Sequence, residues 1–145
     1  MLKLNNTYLE KEVLQASPIE QILLLYNKAI TLLKQVKLLL EKDYLTAEEV
    51  KLKAEALTKA IDILIYLRAT LDLDKGGEIA QNLDKIYSII IDELFKLTFS
   101  KDIQGLSDSL EILEKLKQAW QDIKGSVTPH IQPKKHTFNS LNYHP

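Results

Sequence analysis

Between residues 18 and 124 apolar side chains return at intervals of three and four, the spacing of one helical face, and no stretch shows the alternation of a half-buried strand. The punctuation divides this body into four helices. Ser17 precedes Pro18 and stands three residues before Glu20, so a hydroxyl cap, a proline with no N–H to leave unpaired and a capping-box glutamate mark one start. The first helix runs to about residue 42. "KDYL" is a short connection, and Thr46 with Glu49 repeats the capping box ahead of a second helix over about 47–71. In "DLDKGGE", two adjacent glycines allow a tight reversal, and Asp72, Asp74 and Glu78 suit the start of a third helix over about 77–99. "SKDI" turns the chain again with Asp102 as a cap, and a fourth helix, tolerating Gly105 in its first turn, continues to about 124. Short links between long helices force antiparallel neighbours. The predicted fold is all-α, an antiparallel up-down-up-down four-helix bundle over residues 17–124.

Two ends fall outside this body. In "TYLEKEVLQA" the residues Tyr8, Leu9, Val13 and Leu14 recur about one turn apart, which predicts a short amphipathic docking helix within residues 1–16, too brief to be stable alone. Residues 125–145 carry Pro129, Pro133 and Pro145 among Ser, Thr, Asn and His, the composition of an extended, flexible tail.

At 145 residues, 46% hydrophobic and 27% charged, the chain has enough material for one self-sufficient core. A net charge of -1, with Lys interleaved among Glu and Asp, offers no field for a polyanion, so nucleic acid is not an expected partner. The absence of cysteine removes a disulfide framework, a Cys-based zinc site and thiol catalysis together. No window reaches the ~18 apolar residues of a membrane span, and the first residues lack a secretory pattern. A cytoplasmic location without membrane insertion is the expectation.

Enzymatic readings fail one after another. Carboxylate-bridged metal bundles need Glu-x-x-His on facing helices, and the three histidines, His130, His136 and His144, all lie in the tail. "DLDKGG" begins like a calcium loop, but Gly76 stands where an oxygen ligand belongs and Leu83 replaces the bidentate glutamate. Adjacent acids such as Asp92 and Glu93 diverge on a helix and cannot share a proton. No catalytic residue, cofactor or metal site is predicted.

The helices carry more apolar surface than one face needs. In the first, Ile22, Tyr26, Ala29, Ile30, Leu33 and Leu40 make a stripe, while Leu24, Leu25, Leu32, Leu38 and Leu39 fall at its edges or beyond. The second adds Ala56, Ile63, Ile65, Tyr66 and Leu67 to a stripe of Ala54, Leu57, Ile61, Leu64 and Leu71. The third adds Tyr87, Ile89, Ile91, Phe95 and Phe99 to Leu83, Ile86, Ile90, Leu94 and Leu97. A wide core is one account of the excess; an apolar surface groove, which marks a binding site, is the other. On the second account Leu25, Ile63, Tyr66, Ile89 and Phe95 are the candidate partner-binding anchors, and Tyr8, Leu9, Val13 and Leu14 are a self-docking cap. A bundle that self-associates through the same face is the rival reading.

The run Ala16-Ser17-Pro18 ahead of Leu25-Tyr26 and Ala29-Ile30, then "LRATLDLDKGGEIAQNL" with Tyr87 four residues on, and Trp120 late in the last helix, resembles the flagellin-specific export chaperone family, FliS. The similarity covers residues 8–124 in order, and one departure is Asn27-Lys28, where the family commonly has Asp-Gly. The resemblance implies a non-catalytic helical bundle that binds the disordered C-terminal segment of flagellin in the cytoplasm. It also implies that the chaperone prevents premature polymerisation and assists delivery to the flagellar type III export gate. In that family the N-terminal segment packs on the free bundle and is displaced by flagellin.

Overall fold

The computed structural model describes residues 17–126, so the proposed cap residues Tyr8, Leu9, Val13 and Leu14, and the tail histidines, lie outside the described residues. Within that span the chain forms α1 (Pro18–Leu40), α2 (Ala47–Ala69), α3 (Gly77–Lys96) and α4 (Ile103–Ser126), with no strand among the described residues. The helix starts follow the local chemistry. Ser17 Oγ accepts the Glu20 N–H at 3.3 Å and donates to Glu20 Oε1 at 2.7 Å. At Thr46 the capping box is complete, with the Thr46 and Glu49 side chains each accepting the other's backbone N–H at 3.1 Å. Asp102 Oδ1 accepts the Gly105 N–H at 2.9 Å and caps α4. Replacing Thr46 with Ala should lower stability by about 1 kcal/mol, read as a shift in the urea midpoint at unchanged slope.

Two of the helices, α2 and α3, end earlier than their apolar pattern. The Thr70 N–H lies between the Tyr66 and Leu67 carbonyls at 3.1 and 3.3 Å, and the Thr98 and Phe99 N–H groups reach back only three residues, to Phe95 and Lys96. These tighter turns satisfy the orphan groups of a helix end but no longer hold α-helical geometry. Leu71 and Phe99, expected inside helices, therefore sit in links.

The packing forms a ring. α1 lies against α2 and α4, α2 also against α3, and α3 meets α4 in the loosest of the four pairings. Where α3 and α4 do approach, an added Cβ at Gly105 would run into the Glu93 and Asp102 carboxylates, so only glycine fits without a side chain giving way. Across the centre Tyr26 and Tyr87 join hydroxyls at 2.6 Å, linking α1 to α3 through the core. Burial raises the Tyr26 phenol well above its usual range, the neighbouring Tyr87 adds to this, and a bond from the Trp120 side chain opposes it.

This ring explains most of the apolar excess. α1 has two helical neighbours, so an arc wider than one stripe is needed, and Leu25 and Leu32 are buried beside Ile22, Tyr26, Ala29 and Leu33. In α2 the expected stripe is buried at Leu57, Ile61 and Leu64 and widened by Ala56, Ala60, Ile63 and Leu67, while Ala54, nearer the start of the helix, is exposed. Tyr87 and Ile91 of α3 also turn inward.

Ion pairs decorate the outside. Arg68 Nε donates to Asp84 Oδ1 at 2.6 Å across α2 and α3, and Lys42 pairs with Glu49. The Glu49 carboxyl is held below the ordinary glutamate range by the Lys42 hydrogen bond and then by the Thr46 backbone, and that of Glu20 by the Ser17 hydroxyl and then by Lys124. An acid with a depressed folded pKa stabilises the fold above its unfolded pKa, and the contribution disappears as pH falls through the folded value. Urea midpoints should therefore drop modestly between about pH 7 and about pH 3, and Glu49→Gln should flatten part of that slope.

Candidate partner-binding surface

The five sequence-chosen anchors do not share one environment. Leu25 and Ile63, at 1% and 2% exposure, belong to the core cluster, which corrects their placement on an outer groove. The physical reason is the one given above: each sits on a helix clasped between two others, so a position off the ideal stripe still faces a neighbour. Tyr66 is half-buried and packs its ring against the core. Ile89 and Phe95 remain outside, at 60% and 53% exposure. They are six positions apart on α3, so their directions diverge by about 120° and they cannot form one stripe.

The surface contains further large apolar side chains that were not chosen. Ile65 projects from α2, and Leu38 from the last turns of α1. Tyr44 and Phe99 are more exposed still, and both lie in links. Lys101 Nζ donates to the Lys42 and Asp43 carbonyl oxygens at 3.4 and 3.2 Å, which brings the 41–46 and 97–102 links, and with them Tyr44 and Phe99, to the same end of the bundle. Phe95 lies one turn before Phe99, so this end and the adjoining part of α3 carry an apolar region of aromatic character. The sequence held a signal for Phe99 in its off-stripe position; Tyr44 had none, because a single aromatic in a short connection is indistinguishable from any exposed turn residue.

Among the described residues no group of three or more His, Cys, Asp or Glu is arranged to hold a metal ion, and no helix is long and apolar enough to cross a membrane. What the arrangement offers is contact area: large apolar side chains on the outer faces of α2 and α3 and at one end. Large apolar side chains left exposed on a helical bundle are the kind of surface that docks another chain.

A family model for the flagellar protein FliS matches residues 1–127. A flagellar secretion chaperone FliS of Salmonella typhimurium is 36% identical over 115 residues, covering 79% of this chain and 82% of that protein. One from Vibrio cholerae serotype O1 is 33% identical over 114 residues, 79% of this chain and 80% of its own length. A flagellar secretion chaperone FliSB of Pseudomonas aeruginosa is 32% identical, again over 79% of this chain and over 87% of the relative. The chain belongs to the FliS family.

Proposed function

We propose that the chain is a cytoplasmic export chaperone that holds the C-terminal segment of flagellin, prevents its premature polymerisation and assists its delivery to the flagellar type III export gate. The observation that carries this reading is the set of large apolar side chains left exposed on α2 and α3, Ile65, Ile89 and Phe95 among them, with half-buried Tyr66, in a chain whose relatives are named flagellar secretion chaperones. A segment that becomes helical only against a neighbour can lay its apolar side on such a surface, which removes from solution the contacts that would join subunits. Ordering the segment offsets roughly 2–5 kcal/mol, the scale of one or two fully buried Leu or Ile side chains, so a long contact with several anchors is needed. The reading assigns the chain no reaction and no cofactor.

Two finer features belong to the same proposal. The helices run up-down-up-down, a reading supported by Lys101 joining two links at one end and by Lys124 Nζ lying 3.8 Å from Glu20 Oε2, which sets the last turn of α4 beside the first of α1. Residues 1–16 dock through Tyr8, Leu9, Val13 and Leu14 beside α1 in the free chaperone and yield to flagellin. Support for this comes from their amphipathic spacing and from the family to which the chain belongs.

Titration calorimetry with flagellin carrying or lacking its C-terminal segment tests the reading. Heat of binding should appear only with the intact segment. No binding by either form, or equal binding by both, would remove flagellin's C-terminus as the partner.

A further inference from the structure

The link between α2 and α3 is built more firmly than an exposed turn requires. Asp72, only 8% exposed, accepts the backbone N–H groups of Asp74 and Lys75 on its Oδ1 at 3.1 and 3.0 Å, and its carbonyl accepts that of Gly76 at 2.8 Å. Gly77 follows at φ 62°, in the left-handed region where glycine is favoured. This turn holds Leu73 and Ile79 outward, at 45% and 58% exposure, with Asp74 and Glu78 between them. Neither Asp74 nor Glu78 has an ion-pair partner among the described residues.

A lone exposed leucine means little. Two apolar side chains fixed on one corner, with unpaired carboxylates beside them, match a cover that is both apolar and basic. The chain contains such a segment: residues 127–145 carry Lys134 and Lys135, no Asp or Glu, and the apolar Ile131, Phe138, Leu141 and Tyr143, whereas the whole chain has a net charge of -1. The segment also starts in the right place. α4 ends at Ser126, next to the start of α1, and on the up-down reading proposed above the 70–76 link occupies that same end. Adjacent helix axes lie about 10 Å apart, while an extended stretch from 127 to 141 reaches about 50 Å, so the corner is well within range.

We propose that residues 127–145 dock on this corner of their own chain, with Lys134 and Lys135 against Asp74 and Glu78 and the apolar residues between 131 and 141 covering Leu73 and Ile79. The site is thereby occupied by the chaperone itself and involves neither Ile89 nor Phe95.

The cysteine-free sequence makes the test clean, since Ser140→Cys takes a single nitroxide label in the full-length chain. At low ionic strength the amide signals of residues 72–80 should be at least halved relative to the reduced label. The broadening should vanish in Asp74→Lys/Glu78→Lys and in ~1 M salt, where the Debye length is ~3 Å. Even or differently centred broadening, or broadening that survives both treatments, overturns the proposal. So does transfer of the same pattern to unlabelled chains mixed with labelled ones, which would make a second copy the cover. A second label at Ser126→Cys separates tail docking from helix topology: it should broaden the 70–76 link whether or not the tail docks, and its failure there would fault the up-down topology instead.

Discussion

Leu25→Ala and Ile63→Ala should each lower the unfolding free energy by about 2–5 kcal/mol, while Ile89→Ser and Phe95→Ser should shift it by about 0.5–1 kcal/mol and instead weaken the proposed flagellin binding. The contrast follows from burial: the first pair lies at 1% and 2% exposure in the core, and the second pair at 60% and 53% on the outside of α3. An anchor of hot-spot strength is worth about 2 kcal/mol, so roughly a thirtyfold rise in Kd is the expected scale for at least one of the two exposed sites. Urea unfolding and calorimetry on the same four variants read both axes. If Ile89→Ser and Phe95→Ser left binding intact, the flagellin surface would not lie on α3.

If the head, residues 1–16, docks as proposed, removing it should produce two opposed effects. A chain starting at Ala16 should bind the flagellin C-terminal segment more tightly, because a competing internal segment lowers apparent affinity in proportion to its occupancy. A head seated about 90% of the time conceals a tenfold gain. The same chain without flagellin should scatter more light on standing, since apolar surface is left uncovered. Weaker binding by the shortened chain would make the head part of the flagellin site, and unchanged affinity with unchanged scatter would mean that it covers nothing.

Helix starts were legible in the sequence because they depend on chemistry within four residues: Ser17, Thr46 and Asp102 all cap as their neighbours suggested. The ends were less so. Apolar residues such as Leu71 and Leu97 remain buried beyond the last α-helical turn, so hydrophobic pattern overruns the helix while backbone geometry has already changed. The candidate surface was half legible. Phe95, about 140° from the α3 stripe, was separable from the core by angle, but Leu25 and Ile63 were not, and Ile89 and Ile91 stand about 100° to either side of that stripe although only Ile91 is buried, because how much of a helix is buried depends on how many neighbours clasp it. That number is set by the ring of α1 to α4 and is written in no single segment. Ala54 shows the same limit: it lies on the expected stripe yet is exposed with most of the first turns of α2, because how far along the helix burial extends is decided by packing against its neighbours.

The Trp120–Tyr26–Tyr87 chain of polar contacts also gives the protein an optical signal of its own. Trp120 is the one tryptophan in the sequence, it is 5% exposed, and its side chain bonds to the tyrosine that spans the core. Its emission therefore reports from the junction of α1, α3 and α4 without any label. A partner segment that has no tryptophan can be titrated against this single emitter. Rearrangement of the junction would move its wavelength, and binding confined to the outer faces of α2 and α3 would leave it still.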